Sequence, residues 1–317
     1  MKAFKYLLLS VLFVSATAIA QDEQQKKEPQ PSHSNTNKFR QLYQEFSTPN
    51  EYRAASGAPG HAYYQQQADY KMDIVIDDVK AKLFGEETIT YTNNSPDVLK
   101  YLWVQLDQNV RAKDSKSPLI EGSGVRQVQQ ASSFAKDFLG EPFEGGFNIE
   151  FVKDKNGKPL PHTINRTMMR VELPEPMKTG DKFSFSIKWN YNINDYIKDG
   201  GRSGFEYFPE DDNRLYVIAQ FYPRMAVYND VEGWQNSQFW GRDEFALPFG
   251  DFDVNITVPE DHILDATGVL TNRKDVFSDK MMERYEKAKK SYDEPVVIVT
   301  QKEAEKAEKK KATKTKT

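Results

Sequence analysis

Asp69-Tyr-Lys-Met-Asp-Ile-Val-Ile-Asp77 decides the fold class. Met72, Ile74 and Ile76 alternate with Lys71, Asp73 and Val75, a repeat of two that sends the two sets to opposite faces of a strand. Thr88-Ile-Thr-Tyr-Thr92 and Tyr101-Leu-Trp-Val-Gln-Leu106 add β-branched and aromatic runs of strand length. Further strands are expected at 147–152, 162–165, 168–173, 183–192, 215–220, 245–249, 252–258 and 264–270, with a last one at 295–300. Turn residues punctuate them at Asn93-Asn94-Ser95-Pro96, Lys155-Asn156-Gly157-Lys158, Thr179-Gly180-Asp181 and Phe249-Gly250-Asp251. Ten or more short strands without βαβ alternation predict a mainly β fold, an antiparallel sandwich.

Outward from residues 69–300, the periodicity changes at both ends. Residues 1–20 read as an export signal: Lys2 and Lys5 precede the apolar stretch 6–14, and Ala18-Ile19-Ala20 supplies the small side chains of a cleavage site. The apolar run is too short for a membrane-spanning helix, so periplasm, cell surface or medium is the expected location. Residues 21–37 have no large apolar side chain and read as a disordered linker. Residues 38–68 form a helix and an arm, the helix carrying Phe39, Leu42, Tyr43 and Phe46 on one face. Residues 126–139 are expected to be a helical insertion. A C-terminal helix is expected after Ser278, its cap, with Met281, Met282 and Tyr285 on one side. Residues 301–317 read as a solvated, Lys-rich tail.

The 317 residues include 43 basic and 47 acidic side chains, four histidines and no cysteine. Disulfide scaffolds, Cys-ligated zinc, iron–sulfur clusters and thiol catalysis are excluded, and the near-neutral balance argues against a nucleic-acid binder. A zinc peptidase helix would place two histidines four residues apart around a glutamate. The residues four after each histidine are Asn37, Gln65, Arg166 and Ala266, so no such motif occurs in these residues. Gly200-Gly-Arg-Ser-Gly204 lacks the strand–turn–helix setting of a phosphate loop and reads as a turn; Glu210-Asp-Asp-Asn213 reads as a solvated loop. Asp261, His262 and Asp265 have metal-ligand chemistry without supporting spacing.

The densest block is 215–270, where Phe221, Tyr222, Tyr228, Trp234, Phe239 and Trp240 stand beside Gln220, Arg224, Asp230 and Glu232. Such clusters serve as core, as interface or as stacking platforms for carbohydrate. The order Gln220-Phe-Tyr-Pro-Arg224, Met225-Ala226, Asp230, Phe252-Asp-Val-Asn-Ile-Thr-Val-Pro259 and Ala266-Thr-Gly-Val-Leu270 resembles the N-terminal domain of the M-one peptidase family, the aminopeptidase N-like zinc exopeptidases. Tyr70–Ile76 and Gly85–Tyr91 also fit the family's opening pattern, although the Pro-Cys step usual before the acidic residue is missing at Asp230.

The resemblance implies a saddle-like β domain that packs on a thermolysin-like catalytic domain and takes part in removing N-terminal residues from peptides. It implies that Gln220 contacts the substrate's α-amino group, with Tyr222 and Arg224 as further substrate-binding residues; a strand-end Gln220 bonded to backbone is the alternative from the residue alone. The partners implied are a peptide N-terminus and the catalytic domain of the same polypeptide. No cofactor is expected in these residues, Zn2+ belonging to the catalytic domain, whose G-x-M-E-N and H-E-x-x-H sequences do not occur here. The expectation is therefore a fragment of an exported aminopeptidase, inactive alone. A stand-alone secreted module that binds glycan or protein through the 234–240 aromatics is the alternative.

Overall fold

The structure is a computed structural model that describes residues 49–120, 128, 130–134, 143–210, 212–242 and 246–309. The expected export signal, linker and first helix (residues 1–46), most of the 126–139 insertion and the end of the tail lie outside the described residues.

The strands, in chain order, are β1 Gln67–Asp77, β2 Lys82–Thr92, β3 Leu99–Gln105, β4 Asn148–Asp154, β5 His162–Asn165, β6 Met168–Met177, β7 Lys182–Asn192, β8 Gly204–Phe208, β9 Asn213–Val217, β10 Arg224–Met225, β11 Tyr228–Asn229, β12 Gly233–Trp234 and β13 Phe252–Thr257. The fold is mainly β. A five-stranded sheet runs β13-β1-β2-β7-β4 and a four-stranded sheet runs β10-β3-β6-β5; β8–β9 and β11–β12 form separate two-stranded pairs.

The alternation in β1 produces what it predicts: Ala68, Tyr70, Met72, Ile74 and Ile76 are all buried. They meet Leu83, Ile89 and Tyr91 of β2 and Phe185, Ile187 and Trp189 of β7 in one apolar cluster, closed from the other sheet by Leu102, Val104, Met169 and Val171. Two sheets therefore share a single core, as in a sandwich. Gly85 is needed here. It lies opposite Trp189 in the β2–β7 register, and a Cβ at this position would stand 2.3 Å from the indole Cζ2.

One pairing departs from the antiparallel expectation. β13 runs parallel to β1, Tyr70 opposite Phe252 and Ile74 opposite Ile256. These strands are far apart in sequence, so no hairpin dictates their relative direction. β13 lies at the outer edge of its sheet.

Three expected strands need correction. Residues 264–270 and 295–300 are not strands, and of 245–249 the described residues contribute one isolated bridge, Phe249 to Gln67. Residues 264–270 and 295–300 carry apolar side chains but pair with no neighbouring strand among the described residues. Val269 is 80% exposed and Val297 61% exposed. A strand exists only by pairing, so β-branched composition alone does not make one.

The C-terminal helix expected after Ser278 is present as α1, Asp279–Ala288, and the Ser278 side chain accepts from Met281 N–H. The expected tail is also in part a helix, α2, Gln301–Glu308. Thr300 accepts from the Glu303 N–H while the Glu303 carboxylate accepts from Thr300 N–H, a reciprocal capping box. Glu303 further holds Arg284 and Lys280 of α1, at 2.6 and 2.7 Å, joining the two helices.

Candidate functional site

The segment 219–225 crosses from the β8–β9 pair to β10, which attaches to β3 with Arg224 opposite Gln105 and Met225 opposite Val104. Three core side chains hold its backbone at four points. Gln108 Nε2 donates to the carbonyls of Ala219 and Gln220, both at 3.1 Å. Trp189 Nε1 donates to the Phe221 carbonyl at 3.0 Å, and Met225 N–H donates to the Tyr70 hydroxyl at 2.9 Å. All three anchoring side chains are buried.

Under this clamp Gln220 adopts φ +54°, the left-handed region that non-glycine residues occupy at a cost. Its carbonyl is spent on Gln108, whereas its side-chain amide has no hydrogen-bond partner among the described residues. Tyr222 is half-buried, its ring 5.4 Å from Tyr70, 5.0 Å from Phe221 and 6.2 Å from Phe252. Burial pushes its phenol up to about 12; Arg224 opposes the shift, and Glu87 and Asp107 add to it. Tyr222 and Phe221 also line an apolar groove of about 1150 Å3 along Met72, Ile74, Phe252 and Val254. Arg224 is buried, its Nη2 against the Asp107 carboxylate and 3.3 Å from Gln105 Oε1. Asp107 is raised from its ordinary value by burial, against the pull of Arg224.

The three residues expected from sequence thus lie on one clamped segment with different surroundings: an unpartnered amide, a packed phenol and a buried cation. The residues that fix the segment, Gln108, Trp189, Tyr70 and Asp107, were not expected as site residues. Only one signal for them exists in the sequence, the polar run Asp107-Gln-Asn109 directly after the apolar strand β3.

The 230–240 loop is tied down as well. Asp230 is bidentate to Arg53, at 2.7 and 2.9 Å, fastening the arm of residues 49–66 to the β11–β12 pair. Trp234 packs on Tyr228 and Tyr91, at 5.2 and 6.0 Å, and Trp240 lies under the Arg166 guanidinium at 5.5 Å. His262 is 3.1 Å from Asp261 and 4.0 Å from Asp78. Among the described residues no group of three or more His, Asp or Glu side chains is arranged to hold a metal ion, and no helix is long and apolar enough to cross a membrane.

The mainly β sandwich, with its clamped loop at the edge of the smaller sheet, defines the architecture. No protein-family model matches the sequence, and no curated protein does. Among solved structures, an M1 zinc metallopeptidase of Deinococcus radiodurans bound to a Tyr-Ser-Ala substrate is similar over 68% of this chain and 37% of its own length, with 13% identity and a TM-score of 0.33. A two-domain M1 zinc metallopeptidase bound to L-tryptophan is similar over 68% and 38%, with 15% identity and a TM-score of 0.34. The chain spans less than two-fifths of the length of these structures.

Proposed function

We propose that this chain is the N-terminal, substrate-side domain of an exported zinc aminopeptidase, and that Gln220 receives the free α-amino group of the peptide. The observation that carries the reading is the state of Gln220: a left-handed backbone held by Gln108, with the side-chain amide left without a partner. Backbone strain of about 1–3 kcal/mol persists only where the surroundings impose it, and it concentrates at functional sites. The amide carbonyl is an acceptor, and a protonated amine makes a charge-assisted donor to it. Further support comes from the sequence, where Gln220 falls at the matching place in the ordered series of motifs.

In this reading Tyr222 gives the segment an apolar flank, and Arg224 acts from behind through Asp107, as a positioning residue. Zn2+ and the general base belong to the catalytic domain, so residues 1–317 alone release no N-terminal amino acid. The test is kinetic. In the polypeptide that carries both domains, Gln220→Ala should raise KM for peptides with a free N-terminus by about tenfold or more, the loss of one hydrogen bond to a charged group. An unchanged KM and kcat would overturn the assignment.

A further inference from the structure

A second cavity, of about 420 Å3, lies between the end of β3, the start of β6 and the 229–239 loop. We propose that it is a binding site for a single neutral saccharide unit. The proposal does not rest on the aminopeptidase reading.

Its volume falls within the range of small-molecule sites, about 300–1,000 Å3. The chemistry of the wall selects the ligand. Asp107 backs the cavity wall at 1% exposure, its carboxylate against Arg224. Gln105 uses its carbonyl on Arg224 and keeps its amide N–H groups. Asn229 spends its carbonyl on Val231 and Glu232 N–H and likewise keeps its amide N–H groups. The side chains of Gln235 and Ser237 have no partners among the described residues. Donors and acceptors are therefore interleaved around one space, a pattern that hydroxyls, able to donate and accept at once, satisfy best. Met168 and Phe239, both buried, supply an apolar floor for the C–H face of a pyranose.

The charges exclude the other small polar classes. Arg53 is spent on Asp230 and Arg224 faces Asp107, so the described residues of the wall offer an anion no uncommitted cation. Among the described residues of the wall a cation would find one uncompensated carboxylate, Glu232, which is exposed and screened by water. The wall is itself fixed: Gln238 accepts from Thr167 N–H and Oγ1 at 2.9 and 2.8 Å and donates to the Asn165 carbonyl at 2.9 Å.

The experiment is saturation-transfer NMR on the full chain with neutral hexoses and N-acetylhexosamines, beside glucosamine and amino-acid amides as cationic probes. The expected result is transfer to the ring C–H protons of at least one neutral sugar at millimolar affinity. Gln235→Ala combined with Ser237→Ala should weaken that binding about tenfold, with an unchanged far-ultraviolet circular dichroism spectrum. Gln301→Ala, on α2, should leave it unaltered. Absence of transfer from every neutral sugar, transfer from the cationic probes alone, or binding indifferent to the double substitution would overturn the proposal.

Discussion

Glu87 offers the sharpest test of the sandwich core. It lies on the inward face of β2, opposite Met72 of β1 and Ile187 of β7, at 1% exposure. Neither carboxylate oxygen has a hydrogen-bond partner among the described residues, and burial pushes the carboxyl well above its ordinary value of 4.5. An unpaired charge in such a place costs several kcal/mol, so the native state carries the neutral acid. The unfolded chain ionises at the ordinary value, and folding then takes up one proton. The stability that Glu87 leaves intact in acid is therefore lost as pH rises from that value through the elevated native one. While only the unfolded chain is ionised, one proton corresponds to about 1.4 kcal/mol per pH unit. For a domain of this size that is roughly 3–6 °C in Tm per pH unit. Glu87→Gln abolishes the ionisation with little change of volume. Thermal unfolding of wild type and variant at pH 5, 6 and 7 isolates the effect, because other titrating groups contribute equally to both. The variant should gain on the wild type as pH rises above the ordinary carboxylate value. Parallel pH profiles would refute the reasoning.

Two further substitutions probe the site's supports. Arg224→Met should destabilise the chain by about 3–5 kcal/mol by leaving Asp107 buried without its cation, and adding Asp107→Leu should recover most of that in urea unfolding; equal losses in the single and double variants would remove the pair from the account. Gly85→Ala drives a methyl into the Trp189 indole, so a loss of about 1–3 kcal/mol or more is expected, with a changed near-ultraviolet circular dichroism signal from the indole; a neutral result would mean that Trp189 does not occupy this place.

The architecture was legible because β1, β2, β6 and β7 state their inward faces in a simple alternation, and burial of those faces is what holds the sheets together. Glu87 was not singled out in the sequence: it is an acid within the inward series Leu83, Gly85, Glu87, Ile89, Tyr91, and its burial emerges only once the facing strands are placed. Residues 264–270 and 295–300 were misread because their local chemistry matches a strand while pairing, a non-local property, is missing. Helix α2 was misread because its composition is entirely polar or small, and the signal lay instead in the Thr300-to-Glu303 spacing. At the site, the motif order pointed to Gln220, Tyr222 and Arg224. The clamp through Gln108, Trp189 and Tyr70 joins residues about thirty to one hundred and fifty positions away in the chain, and no local pattern encodes such contacts.

A substrate-side part of a larger zinc aminopeptidase, as proposed above, would be encoded beside its catalytic domain. The most direct measurement is to sequence the genomic locus and its transcript beyond codon 317. The account predicts a G-x-M-E-N segment followed by H-E-x-x-H, in frame or after a frameshift. A natural stop with neither motif in the adjoining sequence would contradict it.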